Sequence, residues 1–378
     1  MTCRACGGPL LPGAVLRLAG APRSAQGFLD DPKQAGEVDD LNVRQCSACG
    51  LVQLDGEPVP YYRDVITAAN WSPEMMSFRR RQARDLVARH RLEGRTVLEV
   101  GCASGHFLDL LGEAGAIATG LEHGERAIAE ARRHGRRVVE GYVTENPPLA
   151  PPYAAFVCIN FLEHAPHPAE FLGAMYALLA DDAVGLIEVP ALDQAIERRR
   201  FYDFVRDHLS YFSRETLVRI LESNGFDVLG VERVWHGDDL CAIVRKRPRA
   251  DFRGWVDDNP VVAEFMSLVS DPRFPSVAMW GASHQALTLV AMARPCRVRF
   301  IVDSSPGKQG RFEACLGLPV VAPARLRDEP VDLVIVTAAG YSDEVVRQLR
   351  SDVGYRGAIA VLRDARFELA GVAAGATC

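Results

Sequence analysis

Thr96-Val-Leu-Glu-Val-Gly101-Cys-Ala-Ser-Gly105 is the stretch that decides the fold. A run of apolar, strand-forming residues enters a glycine turn and then a helix. Gly101 lets the chain bend sharply off the strand, and Gly105 lets backbone come close to a ligand. The helix amino end beyond them offers free N–H donors. A dinucleotide fingerprint would space its glycines as GxGxxG, whereas here the pattern is E-x-G-x-x-x-G, with Glu99 inside the strand. Working outward, AIATGLEH, RRVVEGYV, AAFVCINFL and VGLIEVP read as further short strands. GERAIAEARRHG and PAEFLGAMYALLA read as helices between them, an alternation that predicts a doubly wound α/β sheet.

Upstream, SPEMMSFRRRQARDLVARHRL has Ser72 as N-cap candidate, proline at the first helical position and Glu74 in the first turn. A helix is expected there to about Arg89, its many arginines forming a solvated face. Downstream, a second alternation follows the charged stretch RKRPRADFRGW: SVAMWG, RVRFIVD, VDLVIVTAA and AIAVLRD as buried parallel strands, QALTLVAMA and SDEVVRQLRSDVG as helices. The fold class is thus α/β, with two Rossmann-like units behind a small amino-terminal module. The expected domains are 1–60, 61–250 and 251–378.

At 378 residues the chain exceeds one ordinary domain. With 48% hydrophobic and 24% charged residues it is a folded, not a disordered or fibrous, sequence. The net charge of −6 lacks the basic excess of a protein that neutralises many phosphates, so long nucleic acid is a poor first substrate. No apolar run reaches the length of a membrane span, and the start MTCRACGGPLL does not read as a secretory signal. A cytoplasmic location and no membrane partner are the expectations.

Ten cysteines are the unusual count. Cys3 and Cys6 form one C-x-x-C pair and Cys46 and Cys49 another, each followed by glycine. Such pairs place two thiolates on one side of a tight turn, and two pairs complete a closed tetrahedral shell for structural Zn2+. A redox dithiol is the competing reading. The 39 residues between the pairs must fold as a β-rich insertion, with LNVRQCSACGLVQL as strand, knuckle, strand. Zinc knuckles also bind RNA, which the acidic LDDPKQAGEVDD disfavours. The other six cysteines lack ligand spacing and read mostly as small buried hydrophobes.

The strand, the glycine turn and the acidic residue resemble motif I of class I S-adenosylmethionine methyltransferases. That resemblance implies cofactor-binding roles for Glu99, Gly101, Ser104 and Gly105. It also implies that Glu122, ending the next strand, accepts both ribose hydroxyls, and that Asn160 and Phe161 line the adenine and sulfonium region. The competing reading is a Rossmann unit that binds NAD or nothing.

The whole chain resembles the three-part nucleotide-sugar C-methyltransferases, which join a four-cysteine zinc module, a methyltransferase core and a terminal Rossmann-like unit. AMWGASHQALTLV, IVDSSPGKQGRF and VDLVIVTAAGYSDEV carry the likeness in the terminal unit. The resemblance implies S-adenosylmethionine, a nucleotide-sugar substrate bound between the two large units, and deprotonation next to a ketone followed by methylation of the enolate. RDHLSYFS places His208 on the family's catalytic base, with Asp207 where the family has glutamate. Capping the helix that starts at Ser213 is the plainer reading of His208. His164, in NFLEH, matches a histidine beside the sugar, though E-H recurs at this loop in unrelated methyltransferases.

Two departures stand out: Val205 replaces the family tyrosine, and His236-Gly-Asp-Asp replaces H-G-G-S. Tyr61 or Tyr62 could supply the missing hydroxyl. In the terminal unit Gly281, His284, Lys308 and Tyr341 fall near strand ends, where open α/β sheets bind ligands; Lys308 either meets a diphosphate or is a solvated turn residue. O- or N-methylation of another natural-product intermediate is the second function class, a non-catalytic scaffold the third. The oligomeric state is not legible.

Overall fold

The computed structural model describes residues 2–22, 38–58, 71–293, 297–314 and 316–370. Tyr61, Tyr62, Cys296, Cys315 and Cys378 lie outside the described residues. The chain forms two compact units, Met1–Arg249 and Ala250–Cys378.

The first unit contains β1 (Leu16–Pro22), β2 (Val38–Gln45), β3 (Val52–Leu54), α1 (Pro73–His90), β4 (Thr96–Val100), α2 (His106–Glu113), β5 (Ile117–Glu122), α3 (Glu125–Arg133) and β6 (Val138–Glu140). It continues through β7 (Tyr153–Ile159), α4 (Pro168–Leu178), β8 (Leu179–Pro190), α5 (Leu192–Glu197), β9 (Ser210–Tyr211), α6 (Arg214–Ser223), β10 (Phe226–Val234) and β11 (Asp239–Lys246). Seven strands make one sheet in the order β10-β11-β8-β7-β4-β5-β6, with β11 antiparallel to both neighbours. Apolar side chains on its two faces build separate cores. Phe156 and Cys158 of β7 join one, Ala155 and Val157 the other, as the period of two along a strand requires. The order reverses between β4 and β7, so the crevice at their carboxyl ends is where an open α/β sheet takes a ligand.

The helix expected from Ser72 is α1, capped by the Ser72 side chain accepting from Met75 N–H with Pro73 at the first position. The cysteine module contributes a four-stranded sheet, β1-β2-β3-β9. Its hairpin pairs Val43 with Leu54 across the second knuckle. The fourth strand comes from far along the chain: Val52 pairs with Tyr211 and Gln53 with Ser210.

The second unit holds α7 (Pro260–Ser270), β12 (Val277–Trp280), α8 (His284–Met292), β13 (Val298–Val302), β14 (Val320–Val321), α9 (Arg325–Asp328), β15 (Leu333–Val336), α10 (Ser342–Ser351), β16 (Ala358–Arg363) and β17 (Arg366–Ala370). Its sheet order is β14-β13-β12-β15-β16-β17, parallel except for β17, again with a reversal, here between β12 and β15. Both units are therefore Rossmann-like. No helix among the described residues is long and apolar enough to cross a membrane.

Candidate active site

A cavity of about 580 Å³ opens at the carboxyl ends of β4 and β7. Such a volume suits a small-molecule site. Gly101 leaves β4 with φ +70°, and Gly105 caps α2 with φ +85°. A Cβ on Gly101 would run into the ring of Phe161, so this position needs glycine for space as well as conformation. Ser104 is buried, and its carbonyl accepts from Arg136 at 2.5 Å.

Glu99 is buried on β4, and one of its carboxylate oxygens lacks a hydrogen-bond partner. Burial, partly offset by the Arg79 guanidinium, pushes its carboxyl up to about 8. A cationic ligand group beside it would restore the ionised form. Arg79 was expected on a solvated face of α1; it is instead buried and lines the cavity. Its partner explains the difference: Glu188 of β8, itself fully buried, pairs with it at 2.6 Å. Gln82, one turn further along α1, donates to the other oxygen of Glu188 at 2.7 Å. Arg79 and Glu99 thus line one cavity, a guanidinium beside a carboxyl that a cationic ligand would ionise.

Glu122 ends β5 as expected, and its carboxylate accepts from the backbone N–H groups of Ala103, His123 and Gly124 at 2.8, 2.8 and 2.9 Å. It holds the glycine turn in shape from below. Asn160 leaves β7 in a left-handed conformation, φ +47°, and its side chain bonds Asp239. Burial, reinforced by Glu188, pushes Asp239 up to about 7. Phe161 packs against Tyr142 and Phe171, with centroids 6.0 and 5.5 Å away.

His164 and His208 meet edge to face in the same cavity, ring centroids 4.8 Å apart. The Asp207 carbonyl lies 2.8 Å from His164 Nδ1, and a carbonyl can only accept, so Nδ1 carries the proton and Nε2 faces the cavity with a lone pair. Burial, with His164 beside it, pushes His208 down to about 3, and both rings are neutral. His208 does not cap α6: Ser213 and Thr216 form a capping box there by themselves. Asp207 is buried with one oxygen unpartnered.

Sequence reasoning passed over Glu163, the residue before His164. It is almost fully buried, and neither oxygen accepts a well-formed hydrogen bond. Burial, eased by its own backbone N–H, pushes its carboxyl well above the usual range. Tyr211 was passed over too; its hydroxyl donates to the Val205 carbonyl and accepts from the Val205 N–H, both at 2.9 Å. It therefore fixes the loop that carries His208.

The cysteine module adjoins this loop. The sulfurs of Cys3 and Cys49 are 3.5 Å apart, and those of Cys6 and Cys46 are 3.6 Å apart. Four thiolates about 2.3 Å from a tetrahedral zinc ion stand about 3.8 Å from one another, so the donor set fits that ion. Backbone N–H groups of Ala48 and Cys49 point at the Cys46 sulfur, and against the opposing effect of burial they draw its thiol down to about 7. The Gly8 N–H likewise points at Cys6. Cys102, Cys158 and Cys241 are buried, in keeping with a packing role.

In the second unit Gly281 follows β12, and Asp303 at the end of β13 accepts from the Ala282 and Ser305 N–H groups, both at 2.8 Å. Lys308 is tied to Asp303 at 2.9 Å and to the Ala282 carbonyl at 3.0 Å. Its ammonium thus serves the turn while the side chain stays half exposed. His284 opens α8 and is exposed, as is Tyr341. His236, on the altered family element, is exposed and 3.4 Å from Glu74.

Residues 75–231 match the model of a methyltransferase domain, and residues 263–362 that of a C-methyltransferase C-terminal domain. The chain is 24% identical to the C-methyltransferase NovU of Streptomyces niveus, over 88% of each protein. It is 37% identical to a ubiquinone biosynthesis O-methyltransferase of Bordetella avium over 23% of its own length, spanning only 39% of that protein. Among solved structures, the magnesium protoporphyrin IX methyltransferase of Synechocystis PCC 6803 with bound SAH is 17% identical, covers 49% of this chain and 92% of its own, and superposes with a TM-score of 0.39. This chain resembles the three-part C-methyltransferases and is an S-adenosylmethionine-dependent methyltransferase.

Proposed function

We propose that the enzyme methylates carbon next to the ketone of a nucleotide-linked sugar, through an enolate, with His208 as base. The observation that carries this reading is the histidine pair in the cavity that also holds Glu99 and Gly101. A base must be neutral and within reach of the carbon that meets the methyl group, and both conditions favour this pair. The likeness to NovU along most of both chains supports C-methylation over other outcomes.

The cosubstrate, when bound, supplies an electrophilic methyl group on sulfonium. Glu99 would hold its ammonium and Arg79 its carboxylate, while Gly101, Ser104 and Gly105 bring backbone to it and Glu122, Asn160 and Phe161 line the nucleoside side. His208 takes the α-proton; the negative charge of a diphosphate-bearing substrate would raise its proton affinity above that in the empty cavity. His164, fixed by the Asp207 carbonyl, positions the ring of His208 and faces the sugar. Tyr61, Tyr62, His284 and Lys308 are the proposed sugar-nucleotide contacts, with Lys308 the weakest since Asp303 already neutralises it. Cys3, Cys6, Cys46 and Cys49 hold a structural zinc ion in a cytoplasmic enzyme.

The test is solvent exchange of the substrate's α-proton in D2O. His208→Ala should abolish exchange on a keto-sugar nucleotide while leaving calorimetric binding of S-adenosylmethionine intact. Exchange at the wild-type rate in that variant would remove His208 from the role.

A further inference from the structure

We infer that Glu163, His164 and His208 form a binding site for a divalent transition-metal ion, distinct from the four cysteines. Their ligand atoms lie within 4.8 Å of one another, and His164 Nε2 stands 3.9 Å from a Glu163 oxygen. The chemistry of the cluster is one-sided. Glu163 is a carboxyl group with no well-formed hydrogen bond to either oxygen and a side chain 2% exposed. His164 turns a lone pair toward it, because its Nδ1 proton is committed to the Asp207 carbonyl. His208 supplies a second imidazole edge-on to the first. One carboxyl oxygen and two imidazole nitrogens therefore converge within 4.8 Å of one another. A proton can bridge one pair of them, whereas a dipositive ion satisfies all three at once.

Two imidazoles and one carboxylate are a donor set that suits zinc and its first-row neighbours. Bonds of about 2.0–2.2 Å to such an ion would place the ligand atoms roughly 3.0–3.5 Å apart, a contraction of less than about 1 Å for the Glu163–His164 pair at 3.9 Å and of up to roughly 1.8 Å for a pair at the 4.8 Å limit, within the range of side-chain rotation. The Asp207 carbonyl already fixes the tautomer and orientation of His164, as the outer partner of a metal-bound imidazole does. Three protein ligands leave coordination positions open toward the cavity.

The ion and the proton compete for the same nitrogen of His208. Metal binding and general-base action are therefore mutually exclusive, and the ion is a reversible inhibitor of deprotonation. That consequence rests on the enolate reading above; the binding itself does not.

The test uses full-length protein loaded with one equivalent of Zn2+, which the four thiolates take in preference to a nitrogen and oxygen site, and freed of excess Zn2+ by dialysis, then titrated with Co2+ and followed by visible absorption. A cobalt ligand-field band without a thiolate-to-cobalt charge-transfer band is expected. The band should be lost in both His164→Ala and Glu163→Gln, with calorimetric S-adenosylmethionine binding retained as the measure of folding. No band at saturating Co2+, or a band unchanged in both variants, overturns the site. In the second arm, Co2+ should slow α-proton exchange about a hundredfold or more, the scale of a lost general base, and removal of the Co2+ by dialysis should restore it. Faster exchange with Co2+ would overturn the inhibitory role. Exchange absent with and without Co2+ would contradict the enolate reading, while the cobalt band would still support the site.

Discussion

Glu99 and Arg79 are the residues whose surroundings say most about cofactor binding. With its carboxyl pushed up to about 8 by burial, Glu99 is largely protonated at pH 7 in the empty cavity. A bound ammonium favours the ionised form, so binding at pH 7 should release about one proton per cofactor. Calorimetry in buffers of different ionisation enthalpy reads this directly; the release should fall by half near pH 8, be nearly gone by about pH 9, and vanish in Glu99→Gln. Arg79 carries a second expectation. Arg79→Met strands the fully buried Glu188 and should cost about 3–5 kcal/mol in denaturant unfolding. The Arg79→Met/Glu188→Leu double variant should recover most of that stability yet still bind S-adenosylmethionine weakly, separating packing from ligand contact. The sequence pattern of α1 could not single out Arg79 among its arginine neighbours, because its burial depends on a glutamate more than a hundred residues away. Glu163 was hidden for another reason: as half of a common E-H pair it drew attention only to His164.

Among the elements, β9 matters more than its two residues suggest. It carries the chain directly after His208 into the sheet of the cysteine module, where Leu54 N–H also donates to the Leu209 carbonyl at 3.1 Å. On the other side, Leu209 N–H donates to the Glu163 carbonyl at 2.8 Å. The knuckle beside β2 and β3 thus helps to set the position of His208, the proposed base. Removing the proposed zinc ion with a chelator should leave S-adenosylmethionine binding within about twofold, since Glu99, Gly101 and Glu122 lie on or beside the strands of the large sheet. It should sharply reduce α-proton exchange, and re-addition of Zn2+ should restore it. Equal loss of both properties would mean that the metal supports the whole unit and not this strand pairing. The hairpin across the second knuckle was legible, because alternation and a glycine turn are local signals. The β9 pairing was not, since two residues carry no period and their partner is about 160 positions earlier.

At the scale of the molecule, two reversals of strand order produce two sheets of one design, and the motif opening the first was readable from a single decapeptide. Strand, glycine turn and terminal carboxylate are short-range features, so fold class and methyl donor followed from them. Which atom receives the methyl group did not, because that depends on how separate loops shape one cavity. The most direct measurement is therefore on the product. The enzyme would be supplied with S-adenosylmethionine carrying a 13C-labelled methyl group and a keto-sugar nucleotide, and the product examined by NMR. The label should appear as a methyl on carbon, coupled to the ring carbon beside the ketone. A label on oxygen or nitrogen would contradict the enolate route.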